Sequence, residues 1–154
     1  NPVRGDFRVW ARRAAADPEG FEARARTVLV MGGSQGAQAL NETVPAAFAH
    51  VDLRGLKVVH QTGEAMREAV EAQYRALGIE AEVVSFIDDM ARAYASAALV
   101  VARAGATTLA ELQAIGRASL LVPHRPAPAH HDTATAHART PADEPTHRAT
   151  PPPR

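Results

Sequence analysis

Two short stretches carry residue types that cradle an anion. The first is GGSQGA at 32–37, directly after the apolar run TVLVM. Gly32, Gly33 and Gly36 permit positive φ and a close backbone approach, and Ser34 offers a hydroxyl. A helix starting after Gly36 presents free N–H groups and the positive end of its dipole. The second stretch is ARAGATTLAELQAIG at 102–116. There Gly105, Ala106, Thr107 and Thr108 put small residues at a helix start, with nothing bulky to keep a phosphate away. Glu111 follows about one turn later, where a carboxylate accepts hydrogen bonds from neighbouring ribose hydroxyls. Together the two loops make a two-point anion site with a sugar-binding carboxylate, suited to a nucleotide diphosphate held without a lysine clamp. The spacing is not G-x-G-x-x-G and there is no G-K-[ST], which disfavours a dinucleotide fingerprint and a P-loop. Each stretch also has a plain structural reading. The first fits a tight strand–helix turn that needs glycine, and in the second Thr108 with Glu111 three residues on fits a capping box.

A site of this kind needs strand ends that place both loops on one edge. TVLVMGG (27–33), LKVVHQTG (56–63), AEVVSFI (81–87), ALVVAR (98–103) and ASLLVP (118–123) read as five strands, each a continuous apolar run closed by glycine, proline or a polar turn. Helical patterns alternate with them at 37–50, 64–78, 88–97 and 107–116. Pro45 is expected to end or kink the first of these. In the second, Met66, Val70, Tyr74 and Leu77 share one side, with Gly78 as C-cap. Asp88 is the expected N-cap of the third, and Gly116 ends the fourth. Continuous apolar strands alternating with helices indicate an α/β domain with an open, doubly wound parallel sheet covered on both faces. In such sheets ligands sit beyond the carboxyl ends of the strands, at the switch point of strand order.

Composition bounds the function. The chain has 154 residues, with 17 basic and 17 acidic side chains balancing to zero formal charge. That balance gives no global pull toward nucleic acid, and no nucleic-acid partner is expected. There is no cysteine, so disulfides and cysteine metal sites are excluded. No apolar run approaches the roughly 20 residues that span a bilayer. The opening NPVRGDF has no signal-peptide shape and no initiator methionine, and it reads as a chain entered in its middle. Residues 1–26, rich in arginine and alanine, read as a linker or interdomain segment with a loosely helical piece. Residues 27–123 read as the ligand-binding domain. From 123 to 154 there is no Val, Ile, Leu, Met, Phe, Tyr or Trp, and this stretch holds eight of the eleven prolines and five of the seven histidines. A disordered tail over 124–154, apart from one turn of helix near HDTATAHA, is the expectation. The domain reads as incomplete at its C-terminal end.

Asp88 and Asp89 suggest a metal pair only superficially, since N-capping accounts for them, and the tail histidines lack fixed spacing for a metal site. No metal or cofactor is expected. His50 and His60 read as surface or packed residues, and Trp10 and Tyr74 as packing residues.

NPVR, VLVMGGSQGAQALN, HQTG, FIDDMARAYASAALVVARAGATTLAEL and LLVP occur in that order. The series resembles the C-terminal half of the MurG family, membrane-peripheral transferases that move N-acetylglucosamine from UDP-GlcNAc onto the lipid-linked muramyl-pentapeptide of peptidoglycan synthesis. The resemblance spans about residues 1–123. It implies a two-domain GT-B architecture whose C-terminal Rossmann-like half binds the donor. It also implies residue roles. Arg4 of NPVR and the Gly33, Ser34, Gln35 and Gly36 of GGSQGA lie at the donor. Ile87 of FIDDM reads uracil through its backbone. Gly105, Ala106, Thr107 and Thr108 approach the diphosphate and sugar, and Glu111 takes the ribose hydroxyls. Past the fifth strand the family has an H-Q-x-x-N-like segment whose glutamine contacts the GlcNAc hydroxyls. Here His131 is followed by Asp132, with Thr135 where the asparagine would stand, so Asp132 is the degraded counterpart. The general base, the acceptor loop and the face toward the anionic inner membrane belong, by resemblance, to an N-terminal half not present in this sequence, so no catalytic residue is assigned. The implied location is the cytoplasmic side of the bacterial inner membrane, peripherally bound. The chain alone is expected to bind donor without transferring it. A UDP-GlcNAc 2-epimerase-like enzyme on the same fold and a non-catalytic remnant are the alternative readings.

Overall fold

The computed structural model describes residues 5–32 and 38–123. Among them are six α-helices, α1 (Gly5–Ala16), α2 (Pro18–Ala23), α3 (Gln38–Phe48), α4 (Arg67–Ala76), α5 (Met90–Ser96) and α6 (Ala106–Ile115). Five strands, β1 (Thr27–Met31), β2 (Lys57–Gln61), β3 (Ala81–Val84), β4 (Ala97–Arg103) and β5 (Ser119–Val122), form one sheet in the order β3-β2-β1-β4-β5. Every pairing is parallel. The doubly wound α/β expectation is therefore borne out, and the chain leaves β1 toward β2 on one side and β4 toward β5 on the other.

Continuous apolar strands bury both faces. Leu29, Val100, Ala102 and Leu121 pack on α1, α5 and α6 through Phe7, Tyr94, Leu112 and Ile115. On the opposite face Val28, Val30 and Val101 meet Leu40 and Val44 of α3, while Val58 meets Val70 and Tyr74 of α4. Each fully buried Val or Leu contributes about 1.5–3 kcal/mol, so these layers set which way every strand end points.

Several local expectations are corrected. Within residues 1–26, read as a linker with a loosely helical piece, Gly5–Ala16 and Pro18–Ala23 form two helices. Phe7 and Phe21 are both buried in the α5–α6 layer, and Phe7 meets Tyr94 edge-on at 5.5 Å. Asp17 caps α2 by accepting a hydrogen bond from the Gly20 N–H at 3.0 Å. Pro45 does not end α3, which continues to Phe48. Its ring is buried, and that packing offsets the missing N–H. The N-cap of α5 is Asp89, whose carboxylate accepts from the Arg92 N–H at 2.9 Å, not Asp88. Leu77 is exposed, with Gly78 just beyond it at φ 68°. β5 alternates instead of burying both faces, leaving Leu120 and Val122 exposed.

Arg117, just past the left-handed Gly116 that ends α6, is a buried tie. Its guanidinium donates to the Ala95 carbonyl at 2.6 Å and the Phe21 carbonyl at 3.3 Å. It pairs with Glu22 at 2.7 Å and stacks 3.8 Å over the Phe21 ring. Burial pulls its pKa down and Glu22 opposes this. Arg117→Ala strands two buried carbonyls and is expected to cost about 2 kcal/mol, read as a lower denaturant midpoint at unchanged m-value.

Candidate functional site

The two chemically equipped strand ends come out side by side. β1 and β4 are the central neighbours, with Met31 opposite Ala102 in register. Hydrogen-bonded strands lie about 4.8 Å apart, so Gly32 and the 103–105 segment leave the sheet together. This is the point where strand order reverses, the crevice in which open α/β sheets take ligands.

α6 begins in that crevice and begins uncapped. Its N-cap is Gly105, in extended conformation at φ −122° and ψ 146°, with no side-chain cap hydrogen bond. The first intrahelical bond runs from the Leu109 N–H to the Gly105 carbonyl at 2.9 Å. Ala106, Thr107 and Thr108 therefore occupy the first three helical positions, whose N–H groups have no intrahelical acceptor. The capping-box reading fails because Thr108 is the third helical residue, not the cap. Ala106 and Thr107 are exposed, so the helix start opens outward. Glu111, the sixth helical residue, is only 4% exposed. A carboxylate is rarely buried that far unless its oxygens are hydrogen-bonded.

The other side of the crevice is organised by a chain of buried polar groups that periodicity did not reveal. Asn41, His60 and Tyr74, from α3, β2 and α4, are all at most 1% exposed. His60 Nδ1 lies 2.9 Å from the Tyr74 hydroxyl and Nε2 lies 3.0 Å from Asn41 Oδ1. Asn41 Nδ2 donates to the Thr62 carbonyl at 3.0 Å, which leaves Oδ1 as the acceptor. Nε2 therefore carries the proton, and Nδ1 accepts from Tyr74. Burial lowers the His60 pKa to about 4 and pushes the Tyr74 hydroxyl up. His60 is thus a neutral packed histidine, as its sequence context suggested, but Asn41 was missed. The available signal was a polar residue between Leu40 and Val44 on the apolar side of α3.

Gly32 closes this network. Its N–H donates to the Gln61 carbonyl at 2.8 Å. A Cβ at Gly32 would collide with Asn41 Oδ1 and lie 2.8 Å from the Gln61 carbonyl. The space the sequence reading reserved for a ligand at Gly32 is filled by Asn41, and the glycine is required by packing.

Ile87 is half-buried on the segment between β3 and α5, packed against the α5–α6 layer, with Phe86 beside it 65% exposed. α1 and α5 start at this edge too, and a groove of about 520 Å³ lies between them, lined by Asp6, Trp10, Asp88, Asp89 and Met90. Gly105 as N-cap and Ala106, Thr107, Thr108 and Glu111 of α6 are thus placed in one segment, and Ile87 lies at the same carboxyl edge of the sheet. Arg4, Gly33, Ser34, Gln35, Gly36 and Asp132 lie outside the described residues, as does the 124–154 tail. Among the described residues no group of three or more His, Asp and Glu side chains could hold a metal ion, and no helix is long and apolar enough to cross a membrane.

Comparison with known proteins matches residues 27–141 to the glycosyltransferase family 28 C-terminal domain. The chain is 50% identical over 139 residues to an Azoarcus sp. (strain BH72) protein named UDP-N-acetylglucosamine--N-acetylmuramyl-(pentapeptide) pyrophosphoryl-undecaprenol N-acetylglucosamine transferase, covering 88% of this chain and 38% of that one. A Sorangium cellulosum protein of the same name is 54% identical over 121 residues, covering 76% of this chain and 29% of its own length. The crystal structure of Acinetobacter baumannii MurG superposes with a TM-score of 0.59 at 39% identity, over 65% of this chain and 29% of that one. The chain thus spans well under half the length of these relatives.

Proposed function

Since the chain belongs to glycosyltransferase family 28, matched by the model of its C-terminal domain, we propose that it is the donor-binding part of an inverting N-acetylglucosaminyltransferase that takes UDP-GlcNAc. The acceptor is the lipid-linked muramyl-pentapeptide of peptidoglycan synthesis, reached on the cytoplasmic face of the bacterial membrane. The observation that carries this reading is the uncapped start of α6 at the β1–β4 switch point, with Glu111 buried behind it.

The chemistry follows from that placement. As the acceptor hydroxyl attacks the anomeric carbon, the bond to UDP breaks and negative charge gathers on the departing diphosphate. N–H groups of Ala106, Thr107 and Thr108 aimed at that charge bind it more strongly in the transition state than before, which lowers the barrier. Glu111 accepts from the ribose hydroxyls, and the Ile87 backbone reads the base. The resemblance assigns Arg4, Gly33, Ser34, Gln35 and Gly36 to the same donor, and Asp132 to the sugar. By the resemblance the general base belongs to the family's N-terminal half, so this chain alone is expected to bind donor without turning it over.

Melting experiments test the binding. UDP-GlcNAc at about a hundred times its Kd adds roughly 2.7 kcal/mol to a protein that binds it only when folded, so the melting temperature rises. Ala106→Asp puts a carboxylate at the first position of α6. The free variant is expected to be equally stable or more stable by about 0.3–1 kcal/mol through the helix dipole. The stabilisation by UDP-GlcNAc disappears because the anion site now holds an anion of its own. An unaltered chain whose melting ignores UDP-GlcNAc contradicts the proposal.

A further inference from the structure

Gln61, the last residue of β2, stands between two segments that face the proposed nucleotide. Its main-chain carbonyl accepts the Gly32 N–H at 2.8 Å, at the start of the first glycine loop. Its side-chain Nε2 reaches the Ser85 carbonyl at 3.5 Å, two residues before Ile87. The side chain is only 4% exposed, yet Oε1 has no hydrogen-bond partner among the described residues. A buried amide oxygen left without a donor costs about as much as a lost hydrogen bond, and such groups are rare in native proteins. The companion contact at 3.5 Å is longer than an ordinary N–H to oxygen bond, so this amide is only weakly held on one side and unheld on the other. Apolar packing does not explain a glutamine here, because its neighbour on the same strand face, Val59, belongs to the α5–α6 core layer.

We infer that Gln61 is a positioning residue for the nucleobase: by holding the Ser85 carbonyl it sets the backbone of Ile87 against the base, while the phosphate-facing start of α6 is independent of it. This rests on the nucleotide reading above. The orphaned oxygen is the stability given up for an adjustable, polar support under the loop. An apolar side chain of the same length would support the loop more firmly but would not hold the carbonyl.

Gln61→Met is the direct test, because methionine matches the shape and removes both the orphaned oxygen and the donor. The full 154-residue chain and this variant are titrated calorimetrically with UDP and with inorganic pyrophosphate, and both are melted. The inference expects the variant to melt at the same temperature or higher, to bind UDP at least tenfold more weakly, and to bind pyrophosphate within twofold of the unaltered chain. UDP affinity within twofold of the unaltered chain overturns the inference. So does a parallel loss of UDP binding, pyrophosphate binding and melting temperature, which is the signature of a purely structural glutamine. If the unaltered chain binds no UDP, the nucleotide reading itself fails and takes this inference with it. UDP binding that survives Gln61→Met removes the inference alone.

Discussion

Gly32→Ala is expected to destabilise the chain by about 3–4 kcal/mol, lowering its melting temperature by on the order of 10 °C. The added methyl group has nowhere to go. On one side it meets Asn41 Oδ1, on the other the Gln61 main-chain carbonyl 2.8 Å away. Neither is the far end of a flexible chain. The Gln61 carbonyl is already bound to the Gly32 N–H, and Asn41 is fixed by the Thr62 carbonyl and by His60. Relief requires moving Asn41, which frees His60 Nε2 in a site without water access, and that second cost adds to the steric one. Asn41→Gly alongside Gly32→Ala would clear only the Asn41 side of the clash, leaving the Gln61 carbonyl in place and the hydrogen bonds unrestored, so the double variant should recover only part of the loss. Additive losses in the pair would show that the two residues do not meet.

Acidification is expected to destabilise the fold by about 3 kcal/mol between pH 6.5 and 4 through His60 alone. In the folded chain burial lowers the His60 pKa from 6.5 to about 4. The unfolded chain therefore takes up the proton first as pH falls. Stability from this group is complete above pH 6.5 and is lost progressively down to about pH 4, below which both states are protonated and the loss levels off. His60→Gln removes the titration, so its stability should be flatter across that window even though its stability at pH 7 is lower. Denaturant midpoints at half-unit pH steps for both proteins measure the difference. Equal slopes in the two would mean that His60 is not held neutral.

These two predictions arise from residues that sequence periodicity could not join. Asn41, His60 and Tyr74 come from three elements, and nothing local in any of them states that they meet. The sheet was legible because its signal is local: continuous Val, Leu and Ala runs closed by glycine, proline or a polar turn, repeated with helical patterns between. Adjacency of β1 and β4 followed from the general rule for such folds, and with it the pairing of Gly32 and Gly105 at one edge. The start of α6 was ambiguous because Thr108 and Glu111 satisfy a capping box by spacing. Only the backbone, with Gly105 extended and Ala106 already helical, separates a capped helix from an open one. α1 and α2 read as linker because alanine and arginine dominate the 8–26 stretch that holds most of them, and their two anchoring phenylalanines, Phe7 and Phe21, are too few to set a period. β5 alternates because one of its faces meets no helix among the described residues, a tertiary circumstance its apolar sequence does not record.

The account stands on the open start of α6 as the seat of a diphosphate. Amide NMR of the chain during titration with UDP tests this most directly. The largest shifts should fall on the N–H groups of Gly105, Ala106, Thr107 and Thr108, with smaller ones at Ile87, and the Ala106→Asp variant should show none of them. Saturable UDP binding that leaves those four amides unmoved, and shifts instead the Asp6, Trp10 and Met90 groove between α1 and α5, would contradict it.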